Sequence, residues 1–161
     1  MPNSDISWLP AHELLTPTRL DLVVKWRLFC ALLAPINAWD YAWPLYRWHI
    51  EQRTGGREPG SWKQSTDDYR MAARDLLESM RKRGFDHYTP VKVNHFGHLV
   101  AGAHRIACAL ALGSHVAVLT VDKKSPAPWD AAWFLAHGAT PETVRQLERE
   151  LGQLQARSVA A

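Results

Sequence analysis

The chain has 161 residues, of which 47% are hydrophobic and 22% charged, and its formal net charge at pH 7 is +3. This length and composition are typical of one globular domain with a single core, and they exclude disordered and fibrous proteins. The mild positive charge suits an anionic small ligand and is too low to indicate DNA as a partner. No apolar run is long enough to cross a membrane, so we expect a cytoplasmic protein with no membrane partner.

Two cysteines, Cys30 and Cys108, both occur in apolar helical patterns. They are predicted to be buried thiols in a reducing compartment and not a disulfide. The eight histidines are dispersed along the chain. No group of histidines and cysteines has the spacing of zinc ligands, so we expect no structural metal site.

The first part of the chain is predicted to be extended over residues 1–10, because Pro10 disfavours a helix. Apolar residues at three-to-four-residue spacing then predict a short helix near 11–15 and a longer helix near 18–34, which Pro35 ends. Asp21 and Lys25 share one face of the longer helix at i,i+4 spacing. They either form an ion pair or, as we expect for such charges, remain solvated on the surface.

A third helix, rich in aromatic residues, is predicted over 40–53 and stops at Gly55-Gly56. The following loop over 54–66 is either a lid over a ligand or a connector. Ser65 or Thr66 is then positioned to cap a fourth helix that ends at Gly84.

The second half mixes short strands with helices. Two strands over 90–93 and 98–100 are joined by a turn at 94–97, and a strand over 114–121 follows a helix over 103–112. After a loop at 122–130, we expect a short helix over 130–136, a polar C-terminal helix from Pro141 to about Arg157 with Thr140 as its cap, and a frayed end at 158–161.

These elements predict an α+β fold in one domain over residues 1–161. We divide it into a helical N-terminal part of about 11–84, a core with a small sheet of about 85–125, and C-terminal helices of about 129–157.

The segment from Val100 to Gly113 carries the clearest chemical signal. A strand leads through Gly102 into an apolar helix, with His104 and Arg105 in its first turn. A glycine turn at a helix N-terminus directs backbone N–H groups and the positive end of the helix dipole at one point, which favours a bound anion. The fork of donors on an arginine suits phosphate oxygens.

The run Ala101-Gly102-Ala103-His104-Arg105, followed by small residues along the helix, resembles the Gly-x-His-Arg turn of the ParB/sulfiredoxin superfamily. Upstream pieces resemble a bacterial subgroup found beside polysaccharide or specialised-metabolite genes, namely 19–25, 46–50 and 84–86. The resemblance implies a small mixed sheet with flanking helices. It also implies that Gly102, Ala103, His104 and Arg105 hold the phosphates of ATP or another nucleoside phosphate, with Mg²⁺ bound through the nucleotide.

Two positions depart from this family pattern. Ala103 occupies the place of the sulfiredoxin cysteine, so repair of cysteine sulfinic acid is not expected. Ala101 occupies the place where kinase-type members carry an aspartate, so either another residue acts as the base or the protein binds nucleotide without this chemistry. The resemblance makes Glu51 the first candidate, because serine-kinase relatives place a catalytic glutamate in this upstream region, and Asp21 the second.

We therefore expect a phosphotransferase that moves a phosphoryl group from ATP or ADP to a small polar acceptor. His104 and Arg105 would neutralise the charge that develops on the transferring group, which is the main requirement of phosphoryl transfer. Two alternatives remain open: a ParB-like nucleotide-dependent protein associated with DNA, and an ATPase or nuclease of the plasmid fertility-inhibition type. The sequence contains no recognisable helix-turn-helix motif, which disfavours the first alternative.

Overall fold

A four-stranded mixed sheet has the order β1 (Ile6–Pro10), β4 (His115–Val121), β2 (Val91–Asn94) and β3 (Leu99–Ala101), so the apolar strand β4 is one of its two interior strands. The structure is a computed structural model that describes residues 6–34 and 39–157, and for residues 39 and 40 only the backbone. The helices are α1 (Asp21–Leu33), α2 (Trp39–Thr54), α3 (Thr66–Arg83), α4 (Ala103–Leu112), α5 (Ala131–Ala136) and α6 (Pro141–Ala156).

The α+β class is confirmed, but the sheet is not restricted to the second half of the chain. Strand β1 runs antiparallel to β4, with Trp8 opposite Ala117. On its other side β4 runs parallel to β2, and β2 pairs with β3 as an antiparallel hairpin. Val116, Ala117 and Val118 are all buried, so both faces of β4 are covered. The backbone groups of β4 pair with a strand on each side, and the N-terminal segment supplies one of the two strands.

Most helix boundaries follow local signals in the sequence. Gly102 and Gly113, both with positive φ, flank α4, and the predicted range of 103–112 is confirmed. The Ser65 hydroxyl accepts a hydrogen bond from Asp68 N at the start of α3, and the Thr140 hydroxyl accepts one from Thr143 N at the start of α6. The predicted helix near 11–15 is a 3₁₀ turn over Ala11–Leu14.

The core forms where α1 packs against α4 and α2. Ala107 and Ala109 are fully buried on α4, and their small side chains permit close approach of α1. Cys108 lies between them as a buried free thiol, whereas Cys30 on α1 is a half-buried free thiol. This packing fixes the N-terminus of α4 beside the edge formed by β2 and β3.

Some predictions fall on residues outside the described ranges: the extended conformation of residues 1–5, the turn at Pro35 and the frayed end at 158–161. Within the described ranges, no helix is both long enough and apolar enough to cross a membrane.

Candidate functional site

The N-terminus of α4 depends on Gly102, which has φ 108° and ψ 23°. A Cβ at this position would lie 3.1 Å from Val91 Cγ2 and 3.2 Å from Arg105 Nη2. A side chain here would therefore be strained by the backbone and crowded by its neighbours. Among the described side chains none caps the N-terminus of α4. The first turn thus retains backbone donors for a ligand.

A cavity of about 410 Å³ opens at this N-terminus, and we call it the α4 cavity. Its volume lies in the range of small-molecule sites, which is roughly 300–1,000 Å³. Four of its lining side chains are cationic, and Glu58 is the one carboxylate among the described residues that line it. The lining residues are Arg19, Arg53, Glu58, Lys63, Leu99, Val100, Ala101, Gly102, Ala103, His104, Arg105, Pro126 and Trp129.

All four residues predicted to bind phosphate, Gly102, Ala103, His104 and Arg105, line the α4 cavity. The Arg105 guanidinium donates a hydrogen bond to the carbonyl oxygen of Thr89, so its side chain is held at the cavity wall. This arrangement places the four residues together but does not identify the ligand.

His104 differs electrostatically from the sequence expectation. Burial of its ring, together with the nearby charge of Lys25, holds its pKa well below the usual value. Its Nε2 lies 2.9 Å from the hydroxyl of Tyr46, and burial raises the pKa of that hydroxyl. A neutral imidazole offers a hydrogen bond but no positive charge. The lowered pKa disfavours the expectation that His104 neutralises phosphoryl charge, and that role stays a prediction.

Asp21 and Lys25 are not solvated surface charges, because both are 0% exposed. Asp21 Oδ1 accepts a hydrogen bond from Arg19 Nε at 2.8 Å. Asp21 Oδ2 accepts bonds from Arg19 Nη2 at 2.9 Å and from Lys25 Nζ at 2.6 Å. Arg19 Nη1 also donates to the carbonyl oxygen of Leu99 at 3.2 Å. The expectation of a solvated pair is wrong because the helix face that Asp21 and Lys25 share points into the core. There Arg19 supplies the third charge of the network.

This network disfavours Asp21 as a general base, and that role stays a prediction from the sequence. Burial alone raises the pKa of Asp21, but the charges of Lys25 and Arg19 outweigh it and hold that pKa far below the usual range. Burial lowers the pKa of Lys25 to about 8, which leaves it charged at pH 7. With both carboxylate oxygens engaged, Asp21 fixes the position of Arg19 in the cavity wall.

Trp129 is the aromatic centre of the cavity wall. The guanidinium carbons of Arg19 and Arg53 lie 4.8 Å and 4.7 Å from its ring centroid, within cation–π distance. Its backbone is fixed by hydrogen bonds from Leu20 N to Trp129 O at 2.9 Å and from Trp129 N to Thr18 O at 2.8 Å. The ring therefore helps to fix the guanidinium groups of Arg19 and Arg53 beside the cavity.

Glu51, the first candidate for the base, does not line the α4 cavity. It is exposed on α2 and accepts a hydrogen bond from Arg47 Nε at 2.8 Å. The loop that follows α2 instead brings Glu58 into the cavity, where its carboxylate lies 2.8 Å from Lys63 Nζ. The hydrogen bond from Lys63 lowers the pKa of Glu58.

Sequence reasoning missed Arg53, Glu58 and Lys63. The one available signal was the glycine-rich composition of the loop, which indicated a lid or a connector. The loop folds back on itself through hydrogen bonds from Glu58 N to Lys63 O at 3.0 Å and from Ser61 N to Glu58 O at 3.2 Å. These contacts place the carboxylate of Glu58 and the ammonium of Lys63 at the cavity.

His49 is a core histidine behind the cavity. Its ring is 0% exposed and stacks on Phe134 with 5.6 Å between centroids, and it meets the edge of Trp129. Neither ring nitrogen has a hydrogen-bond partner among the described residues. Burial lowers the pKa of His49 to about 3. The hairpin residues His95 and His98 are exposed, as the sequence indicated.

No set of three or more His, Cys, Asp or Glu side chains within the described ranges is arranged to hold a metal ion. In the comparisons with known proteins, no family model matches this chain, and no curated protein or solved structure shows significant similarity to it. The interpretation of the α4 cavity therefore rests on its own geometry and on the resemblance of its residues to the Gly-x-His-Arg turn.

Proposed function

We propose that this protein binds a nucleoside phosphate, with ATP or ADP as the donor, in the α4 cavity and transfers a phosphoryl group to a small polar acceptor. The observation that carries the proposal is the juxtaposition of a helix N-terminus with four cationic side chains in one cavity. Asp21 offsets one of the buried charges behind the wall, so the lining retains an excess of positive charge. Such a surface favours a ligand with several negative charges.

The division of tasks follows from the contacts. The N–H groups at the start of α4 and the guanidinium of Arg105 would hold phosphate oxygens, as in the resemblance to the ParB/sulfiredoxin superfamily. Arg19 and Arg53, fixed against Trp129, would meet the same phosphates from the opposite wall. Preorganised cations of this kind stabilise charge on the transferring group without reorganisation during the reaction.

Mg²⁺ would enter with the nucleotide. The cavity offers one carboxylate, Glu58, and magnesium at nucleotide sites takes most of its ligands from phosphates and water. The donor set therefore fits an ion bound chiefly by the nucleotide, whose chemistry would be to neutralise phosphate charge.

Glu58 is the carboxylate that replaces Glu51 and Asp21 in this proposal. The acceptor oxygen would form a bond to the terminal phosphorus as the bond from that phosphorus to the bridging oxygen breaks. The nucleotide product would leave with the bonding electron pair, and the hydroxyl proton would pass to Glu58. Its lowered pKa makes Glu58 a weak base, which suffices because a loose transition state chiefly requires orientation of the attacking hydroxyl.

The binding step is tested by isothermal titration with ATP, ADP and CTP in the presence of Mg²⁺. Arg105→Ala should weaken binding about 10- to 100-fold, the loss expected for hydrogen bonds to a charged group. Arg81→Ala is the matched control, because Arg81 is exposed at the far end of α3 and should leave binding unchanged. Failure of all three nucleotides to bind would refute the proposal.

The transfer step is tested with a panel of alcohols, sugars and hydroxy acids by following ADP release from ATP and AMP release from ADP. Glu58→Gln should lower kcat by about 100-fold, within the range for a positioned acid or base, with nucleotide affinity retained. Glu51→Gln is its control, since Glu51 has a comparable ion pair outside the cavity. ADP release that no acceptor stimulates would refute transfer and favour an ATPase.

A further inference from the structure

A second, smaller cavity of about 110 Å³ adjoins the α4 cavity between α3 and the start of α4. We call it the Tyr69 cavity, and its lining consists of Lys63, Tyr69, Ala72, Ala73, Leu76 and His104. Two of these side chains, Lys63 and His104, also line the α4 cavity. A molecule in the smaller cavity would therefore lie beside anything bound in the larger one, with Lys63 and His104 in contact with both.

The Tyr69 cavity includes an unpaired polar group. Tyr69 is 2% exposed, and its hydroxyl has no hydrogen-bond partner among the described residues. A buried hydroxyl without a partner is costly, and a ligand that supplies the missing hydrogen bond would remove that cost. The neighbouring alanines and Leu76 form an apolar surface suited to a short carbon chain.

Lys63 is the one charged side chain that the described part of the chain contributes to this lining. Its ammonium lies 4.9 Å from the centroid of the Tyr69 ring and 2.8 Å from Glu58, which faces the larger cavity. Among the residues that the structure describes, none that lines the Tyr69 cavity carries a negative charge. The electrostatics therefore favour an anionic or neutral ligand and disfavour an amine.

The volume limits the size of the ligand. It corresponds to about four water molecules at roughly 30 Å³ each. A nucleoside or a hexose ring is too large, whereas the carbon chain of a three- or four-carbon compound fits.

We infer that the Tyr69 cavity binds the phosphoryl acceptor and that this acceptor is a short-chain hydroxy acid of three or four carbons. Its carboxylate meets Lys63, its carbon chain lies on Ala72 and Ala73, and a hydroxyl bonds to Tyr69. The hydroxyl that attacks points past His104 toward the α4 cavity and Glu58. This inference rests on the proposed phosphotransferase function, because it assigns the second substrate of that reaction.

The test is titration of glycerate into protein saturated with a non-hydrolysable ATP analogue and Mg²⁺. Glycerate should bind, whereas 2-aminoethanol, a small alcohol with the opposite charge, should not. Tyr69→Phe should weaken glycerate binding about tenfold, as expected for one lost hydrogen bond, with nucleotide affinity unchanged. Tyr88→Phe is the control, because Tyr88 is exposed. Ala72→Leu fills the cavity and should abolish glycerate binding, with thermal denaturation confirming that each variant folds.

The outcomes separate the two claims. If the ATP analogue fails to bind, the proposed function is refuted and the acceptor site with it. If the analogue binds but glycerate does not, or if glycerate binds equally to wild type, Tyr69→Phe and Ala72→Leu, the Tyr69 cavity is not the acceptor site and the nucleotide site stands. Preference for 2-aminoethanol over glycerate would likewise overturn the assignment of a hydroxy acid.

Discussion

Replacement of Gly102 by alanine tests whether the start of α4 is built for a ligand or only for a turn. At φ 108° an L-residue is disfavoured, and forcing one into a left-handed conformation costs about 1–2 kcal/mol. The new Cβ would also lie 3.1 Å from Val91 Cγ2 and 3.2 Å from Arg105 Nη2. Crowding of a packed site adds about 1–3 kcal/mol, and here it displaces the guanidinium that faces the cavity.

Gly138 supplies a matched control. Its φ is +100°, but a Cβ at this position would meet no atom within 4 Å. Gly138→Ala should therefore carry the backbone cost alone. In urea denaturation, the free energy of unfolding of Gly102→Ala should be about 1–3 kcal/mol lower than that of Gly138→Ala. It should also weaken ATP binding at least tenfold in isothermal titration, because Arg105 no longer occupies its place.

Equal loss of stability in the two glycine variants, together with unchanged ATP affinity in Gly102→Ala, would contradict this reasoning. That result would mean that the close approach of Val91 and Arg105 to Gly102 has no energetic consequence. The turn would then only connect β3 to α4 and would have no role in binding.

Three further predictions concern the buried charges and thiols. Asp21→Asn leaves the buried cations Arg19 and Lys25 without their carboxylate. It should lower the free energy of unfolding by about 3–5 kcal/mol, measured in urea at pH 7. A loss below about 1 kcal/mol would contradict this prediction. The pKa of His49 is about 3 in the folded protein, whereas the usual value is near 6.5. As pH falls from 6.5 toward 3, the unfolded chain therefore binds a proton that the folded protein does not, and the free energy of unfolding decreases. Between pH 6 and pH 5 His49→Phe should therefore lose about 1 kcal/mol less stability than wild type, and parallel pH curves would refute this. Burial raises the pKa of Cys30 to about 11 and that of Cys108 to about 12, so both thiols should react with a disulfide reagent at pH 8 far more slowly than in urea, and equal rates would contradict their burial.

The parts of the fold that sequence predicted well are those specified by neighbouring residues. Helix α4 lies between two glycines with positive φ, and α3 and α6 begin at hydroxyl caps that accept a bond from the third residue after them. These signals depend on backbone conformation within a few residues, so they specify the helix ends whatever the tertiary contacts are. Pairing of β1 with β4 depends instead on two segments from opposite ends of the chain, and no local pattern specifies it.

The candidate site shows the same division. The residues Gly102–Arg105 could be predicted because a single turn contains both the backbone geometry and the side chains. Glu51 and Glu58 could not be ranked, because which of them enters the cavity depends on how the loop after α2 folds back through Lys63. Asp21 was misplaced for a related reason: helical spacing shows that it shares a face with Lys25, but not that the face is buried.

Asp21 and Glu58, two acids near the cavity, have opposite properties, and the contrast favours Glu58 as the base of the proposed reaction. Asp21 is fully buried, both of its oxygens are engaged by Arg19 and Lys25, and its proton affinity is suppressed. Such a group fixes the position of Arg19 and is poorly suited to accept a proton. Glu58 is half-buried, belongs to a loop, and has one lysine as its ionic partner. If Lys63 turns toward a bound anion, Glu58 loses that partner and its pKa rises toward the usual value. In the proposed reaction, binding of the anionic substrates would thus prepare Glu58 to accept the acceptor's proton. We therefore expect the loop between α2 and α3, and not the buried network, to respond to ligand.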